Sequence, residues 1–506
     1  MLKPLSRKMK AKFATIEDGC YRSQNFNIDN FKEEHIPSLL RRSNRNLFIY
    51  TYEERFLNFY KNKHLENVNI KIISRADNLI ALKFKQKQNT IHLVNAKYLI
   101  PTAPSDLFSA LNYLYNKLSP DISCCYTAAT FALRMWRMHY QKEDLHGLAL
   151  IQENFVRKGY AGGRSEIFQT RLETGYHYDI NSMYGAAMLE DMPVGYGMWT
   201  DIFHEDRIGF YKCKIDQSTQ YLPPLWKKIN DSLCFPADVF TGIFSTAEIL
   251  TARTAGIKIK TGTGITFTEK RPIFREFILD IYELKKCEGW IASFAKKILV
   301  SFYGKFAEKK EKFTLEKISK KDFWENLKNN KTVIIDENAR FVKKKIRSFK
   351  GSNHNLPFLS AHIAALARSK IYEQAKNILQ NGGKIGYIET DAIFTDTKLP
   401  TGIEIGEWKW EGKVQNAKFI ASKTYSYDTG NRRKYTACGI PLNQSAILPA
   451  YFAGDKVQIY KKGYKTQEIK EYSMKIKNNF YKRRTYTDNS LPLTVSEILN
   501  KMYLKI

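Results

Sequence analysis

The chain has 506 residues, 43% of them hydrophobic, which is enough for several domains around real cores and too apolar for a disordered polyelectrolyte. Lys and Arg outnumber Asp and Glu by 81 to 51, a formal charge of +30, which favours a polyanionic partner, nucleic acid first, over a cationic one; a generally basic surface is the plainer alternative. The seven cysteines show no CxxC spacing, so neither a zinc site nor a disulfide framework is indicated, and a reducing intracellular compartment is expected.

No apolar run reaches the roughly 18 residues of a membrane span. Met1-Leu2-Lys3-Pro4-Leu5-Ser6-Arg7-Lys8 lacks the apolar core of a secretory signal, so a soluble chain without a membrane partner is expected. A basic start suits an organelle transit segment, but Glu17 and Asp18 follow closely and oppose that reading.

Residues 1–150 read as mixed α/β, with apolar strands at Leu47-Phe48-Ile49-Tyr50 and Asn69-Ile70-Lys71-Ile72-Ile73 and a helix over Tyr126 to Met138. Glycines at Gly159, Gly162 and Gly163 then break the periodicity. Residues 176–188 read as a strand, a turn and a short helix that stops near Pro193. Residues 196–265 are strand-rich, and 271–307 form a helical pattern interrupted near Gly289.

Lys305 to Lys350 is a charged insert, either a solvated arm or a nucleic-acid contact. Leu356 to Leu379 reads as one helix, with Asn355 as N-cap, Pro357 in the first turn and Gly382 past the end. A hairpin follows, with strands Lys384–Ile388 and Ala392–Thr395 and Glu389-Thr390-Asp391 in its turn. Farther on, Phe480-Tyr481-Lys482-Arg483-Arg484-Thr485-Tyr486 interleaves rings with cations, which suits stacking on bases beside phosphate contacts.

Two acidic segments, Tyr178-Asp179-Ile180-Asn181-Ser182-Met183-Tyr184 and Tyr387-Ile388-Glu389-Thr390-Asp391, each end a hydrophobic strand. A pair of divalent ions needs at least two carboxylates on rigid elements to clamp the attacking and leaving oxygens of phosphoryl transfer. Either Asp alone reads as an ordinary turn residue. Between them lies Ala295-Lys296-Lys297-Ile298-Leu299-Val300-Ser301-Phe302-Tyr303-Gly304-Lys305-Phe306, in which Lys296 and Tyr303 share a helix face. A lysine there suits a triphosphate, with Tyr and Gly as a floor for a base pair; an amphipathic core helix is the alternative.

In this order the three segments resemble motifs A, B and C of family B DNA polymerases. Tyr160-Ala161-Gly162-Gly163 resembles the YxGG element of the protein-primed branch of small phages, adenoviruses and linear plasmids, and Lys423-Thr424-Tyr425 resembles its KxY motif. The match spans about residues 155–430. The resemblance implies an α+β right-hand polymerase fold of palm, fingers and thumb, with an N-terminal exonuclease-like α/β domain. It implies template-directed DNA synthesis, with Asp179 and Asp391 binding two Mg2+ ions, Glu389 beside them in the catalytic group, and Tyr184 as the steric gate under the sugar. It further implies that Lys296 binds the deoxynucleoside triphosphate and that Tyr303 and Gly304 support the nascent pair. Lys423 and Tyr425 would hold the primer, Tyr160, Gly162 and Gly163 would guide DNA, and Arg368 would contact the template. The expected partners are a DNA template-primer, deoxynucleotides and a terminal (priming) protein.

The implied domains are 1–155 exonuclease-like, 156–195 palm, 196–265 a first insertion that docks the priming protein, 266–307 fingers, 308–355 a basic second insertion beside the palm, 356–434 palm and 435–506 thumb. The chain departs from the family pattern at Gly185, Val300, Glu389 and Ala392. In the first domain, Thr15 and Asn95 stand where exonuclease motifs carry acids, so the domain reads as a scaffold with its metal site dismantled. One rival reading is a catalytically impaired nucleic-acid-binding relative, which metal-dependent nucleotide incorporation would separate; the other is a reverse transcriptase or nuclease reusing paired Asp, which does not explain the Lys296 to Gly304 helix lying between the carboxylate motifs.

Overall fold

The structure, a computed structural model, describes residues 1–5, 12–25, 27–32, 34–42, 46–53, 55–56, 68–75, 78–308, 311–317, 324–325, 333–336, 339–347, 354–462, 469–476, 483–486 and 490–503. The chain divides into two compact units, Met1–Asp144 with Glu276–Asn355 and Lys462–Ile469, and Leu145–Arg275 with Leu356–Lys461 and Lys470–Ile506.

The first unit is built on a ten-stranded sheet. Its centre is parallel: Phe13–Glu17 pairs with Asn46–Thr51, which pairs with Asn89–Asn95. Parallel strands are covered on both faces, and Phe13 to Ile16 are accordingly all buried, with Ala14 and Ile16 in one core with Ile49, Leu82 and Leu93. The pattern expected to be helical is broken as foreseen: helices Arg275–Lys286 and Gly289–Ser301 meet at Gly289, whose φ of +67° L side chains rarely adopt.

In the second insertion, the strand Glu311–Lys317 pairs antiparallel with Asn69–Arg75, Leu315 opposite Ile72, and so lengthens the first unit's own sheet. Unsatisfied backbone groups at a sheet edge make that the natural docking place for a hairpin. The side chains of its strands, and Lys309, Lys310, Lys320, Lys321 and Lys350 altogether, lie outside the described residues, as do Phe480, Tyr481 and Lys482.

In the second unit a seven-stranded antiparallel sheet runs Arg433–Thr436, Thr424–Asp428, Trp408–Ala421, Arg171–Ile180, Ala392–Thr395, Ile385–Glu389 and Ser165–Ile167. Helix Pro357–Gln380 covers it, its Ala367, Ile371, Ala375 and Ile378 packing with Ile180, Ile388 and Ile393. Those positions recur every three or four residues, as one helix face must. The helix starts one residue later than its expected cap: Leu356, not Asn355, is the N-cap, without a side-chain bond, while Gly382 ends it at φ +78°.

A second, four-stranded sheet comprises Met192–Thr200, Lys258–Arg271, Gly209–Asp216 and Val239–Ser245. The insertion sheet thus exceeds the expected 196–265 at both ends. Pro193 lies inside its first strand opposite Lys270 and does not stop the preceding helix, which ends at Met188. The C-terminal region is not a separate thumb throughout. Helix Val495–Tyr503 packs its Ile498 against Ile229 and Cys234 of the insertion, and Arg484 is buried beside Glu166 of the palm segment, 2.8 Å away.

Candidate active site

Asp179 and Asp391 come together because their strands are neighbours. Asp179 is the penultimate residue of Arg171–Ile180, and Asp391 immediately precedes Ala392–Thr395. The register sets Ala392 opposite Asp179, and the Ile180 N–H donates to the Asp391 carbonyl at 2.8 Å. Both acids are half-buried at the same end of the sheet. The turn before Asp391 is tight, with Thr390 at φ 57° and the Asp391 N–H bonding the Glu389 carbonyl at 2.7 Å. A left-handed conformation is unfavourable for a β-branched residue and persists only where its surroundings hold it. Here they do. The Thr390 N–H donates to the Arg164 carbonyl at 2.7 Å, and Gly163 lies so close that a Cβ there would sit 2.5 Å from Thr390 Cγ2.

Glu389 ends the hairpin strand instead of sitting in the turn, and it faces the KxY residues. Burial lifts its carboxyl above the usual range; Lys423 opposes that shift, Asp391 adds to it, and a hydrogen bond from Tyr425 lowers it. Burial, then Glu389, raises the Tyr425 phenol. Lys423 is exposed at φ 56°, its N–H donating to the Tyr387 hydroxyl at 2.9 Å. Beside this loop a cavity of about 790 Å³ is lined by Ser422, Thr424, Ser473, Lys475 and Arg483 among others. Hydroxyls and cations of this kind suit a phosphate backbone.

Tyr184 stands on the short helix Met183–Met188 that follows Asp179, half-buried against the cluster of Ile180, Met183 and Ala367. The Tyr160 phenol is raised by burial and then by Tyr184, with Arg368 opposing, which makes the three neighbours. Gly162 is exposed and Gly163 half-buried. Arg368, expected at the template, is 4% exposed, and its guanidinium binds protein groups: Glu248 through Nε at 2.9 Å, and the carbonyls of Ala161 and Gly162 through Nη1 at 2.7 and 2.8 Å.

Lys296, Tyr303 and Gly304 lie in the other unit, on helix Gly289–Ser301 and the turn after it. Lys296, Val300 and Gly304 are exposed and Tyr303 is half-buried, while Phe294, Ala295, Ile298 and Leu299 face the core. The helix is therefore amphipathic with the expected motif on its open side.

In the first unit, the two positions expected to correspond to exonuclease acids are neutral and closed. Thr15 is fully buried, and Asn95 caps the turn after its strand by accepting from Lys97 N at 3.3 Å. Glu17 survives as a helix-capping acceptor for Leu107 N at 3.0 Å, its carboxyl raised by burial. Among the described residues no group of three or more His, Cys, Asp and Glu converges to hold an ion by itself. Two strand-end carboxylates still fit Mg2+, which takes one or two carboxylates and completes its shell with substrate phosphates and water.

Sequence reasoning missed the buried ionic groups Arg164, Glu166 and Glu248 around the site, and Arg484, expected among cations for phosphate contacts, is fully buried with them. Only Glu248 carried a signal, the Ser245-to-Glu248 capping box at a helix start.

The profile of the family described as DNA polymerase type B, organellar and viral, matches residues 21–380. A protein named Probable DNA polymerase from Podospora anserina is 24% identical over 489 residues, covering 84% of this chain and 40% of the relative. One of the same name from Agaricus bitorquis is 25% identical over 368 residues, covering 62% and 45%. The chain spans less than half the length of these relatives. Among solved structures, Phi29 DNA polymerase complexed with primer-template DNA and incoming nucleotide substrates aligns at a TM-score of 0.70 and 16% identity, over 93% of this chain and 100% of that one. That likeness establishes a right-hand polymerase fold with an N-terminal α/β domain, and with the profile match over most of the sequence the chain belongs to the type B DNA polymerases of the organellar and viral kind.

Proposed function

We propose that the protein is a template-directed DNA polymerase that adds deoxynucleotides by two-metal phosphoryl transfer, with Asp179 and Asp391 as the metal carboxylates. The observation that carries this is their juxtaposition on adjacent strands, fixed by the Ile180 to Asp391 hydrogen bond. Bound Mg2+ supplies Lewis-acid stabilisation of the charge that develops on the transferring phosphoryl group. The chain's own residues do the rest. Asp179 and Asp391 offer carboxylate oxygens at a rigid sheet end, and Tyr184 closes the space beside the sugar so that a 2′-hydroxyl is excluded sterically. Lys296 meets the triphosphate as a point charge, Tyr303 and Gly304 floor the base pair, and Lys423 and Tyr425, anchored on Glu389, grip the primer strand. Tyr160, Gly162 and Gly163 line the path of the DNA.

The YxGG element supports a protein-primed start, in which a hydroxyl of a terminal protein takes the place of the primer 3′-OH and the first insertion is its docking surface. Such a start suits replication of a linear viral or plasmid genome. The neutral, closed Thr15 and Asn95 positions support a polymerase without 3′–5′ proofreading.

The test is primer extension with Mg2+ and deoxynucleotides. Asp391→Ala should lower incorporation at least about 1,000-fold while template-primer still binds, because charge stabilisation in the transition state is lost and the binding surface is not. Near-normal extension by that variant refutes the assignment. Binding without extension by the wild type identifies a catalytically impaired relative instead.

A further inference from the structure

The motif C turn is held from outside by a buried ionic network whose far end lies in the first insertion. Glu248 sits in the first turn of helix Thr246–Thr254, 4% exposed. Its Oε1 accepts from Trp226 Nε1 at 2.8 Å and from Arg368 Nε at 2.9 Å, and its Oε2 accepts from Ser245 N at 3.2 Å. Arg368, carried by the long helix over the palm sheet, gives its Nη1 donors to the Ala161 and Gly162 carbonyls, while its Nη2 stands 2.8 Å from Glu248 Oε1 in the ion pair. Two residues on, the Arg164 carbonyl receives the Thr390 N–H, and Gly163 packs on Thr390 without room for a Cβ. Arg164 is itself anchored, its Nε 2.9 Å from Glu166 Oε2 and its Nη1 3.0 Å from the Pro223 carbonyl. Arg484 holds the other Glu166 oxygen at 2.8 Å.

We propose that Glu248 and Arg368 are positioning residues for the catalytic turn: the pair fixes the 161–164 segment, which in turn holds Thr390 in its left-handed conformation and so aims Asp391. This rests on the polymerase reading of the Asp179 and Asp391 pair. The physical reasons are three. A turn residue at φ 57° relaxes when its external partner moves. The two carbonyls tied by Arg368 lie within three residues of that partner. A buried ion pair tied by several directional hydrogen bonds holds its groups in one arrangement, so it transmits position and not only stability. The consequence is that the first insertion, through its helix Thr246–Thr254, is mechanically joined to the metal carboxylates, and whatever shifts that helix shifts Asp391.

The experiment uses the full chain in primer extension, with single-turnover kcat, the Mg2+ concentration for half-maximal rate, template-primer Kd and Tm measured in parallel. Arg368→Lys keeps a buried cation but replaces the planar fork that reaches Glu248 and both carbonyls with a single ammonium nitrogen. It should lower kcat about 10- to 100-fold and raise the half-maximal Mg2+ concentration, with template-primer Kd unchanged, since small displacements of a reacting group have effects of this size. Glu248→Gln, which retains an acceptor for Trp226 and Arg368, should show a smaller effect in the same direction. The proposal is overturned if Arg368→Lys weakens DNA binding at unchanged kcat, which is the template-contact role, or if Tm falls while kcat per folded molecule and the Mg2+ dependence stay put. Failure of the wild type itself to extend a primer refutes the polymerase reading and is a different result.

Discussion

Thr15→Asp tests whether the Thr15 position of the N-terminal domain is closed to a metal-binding acid, because it puts a carboxyl where the surroundings are too apolar to take one. Thr15 is fully buried on the sheet face shared with Phe13 and Tyr115, and its hydroxyl has no hydrogen-bond partner among the described residues. An Asp there loses its hydration and gains no donor, and its nearest same-face neighbour along the strand is Glu17, already held above its usual carboxylate range by burial and by Asp106. Full burial raises a carboxyl by about 3 to 5 units from an unfolded value near 3.9. Its folded pKa then lies at about 7 to 9, above the unfolded value, so the penalty is absent below about pH 4 and grows as pH rises towards the folded pKa. At about 1.4 kcal/mol per unit, the loss of stability is about 4 kcal/mol at pH 7 and about 1.5 kcal/mol at pH 5. A domain stability of about 5–15 kcal/mol makes the first figure easy to see. Urea unfolding of wild type, Thr15→Asp and the apolar isostere Thr15→Val at both pH values reads this directly, with Thr15→Val neutral or slightly stabilising because it removes an unpaired buried hydroxyl. If Thr15→Asp is as stable as wild type at pH 7, or loses the same amount at both pH values, the pocket is open or polar and the domain still has room for a metal site.

Tyr184→Ala should relax the preference for deoxynucleotides by removing the bulk under the sugar, measured as the ratio of ribonucleotide to deoxynucleotide incorporation; an unchanged ratio makes Tyr184 a packing residue only. Acid should destabilise the protein through its buried neutral histidines. Burial, with the nearby Lys83 charge, lowers His92 to about 3, and burial lowers His362 to about 4 against the Asp191 carbonyl. Both folded values lie below the unfolded value of about 6.5, so the unfolded chain binds more protons in between and stability falls as pH drops below about 6.5, by at most about 1.4 kcal/mol per pH unit for each histidine. Thermal unfolding between pH 8 and 5 should show a shallower acid loss for His362→Gln than for wild type, and identical slopes would refute this account.

The family motifs were legible in the sequence because each is a short local pattern: an acid at the end of a hydrophobic run, a lysine and a tyrosine two turns apart on a helix, and paired glycines before a strand. Local patterns also gave the long helix 357–380 and the hairpin to within a residue or two. What they left open was everything set by partners remote in the chain. Arg368 looks like any cation on a helix until Glu248, 120 residues earlier, is seen to hold it. Glu166 and Arg484 stand 318 positions apart and acquire meaning only as a buried pair. The basic insertion carries no sign of its docking strand, since a sheet edge accepts a hairpin through backbone groups that every sequence shares. The sequence by itself determined the chemistry available to this protein, because residue type and local period are written into it. The tertiary structure alone decided which charges are spent inside the fold and which remain exposed, because burial and pairing depend on what the rest of the chain brings alongside.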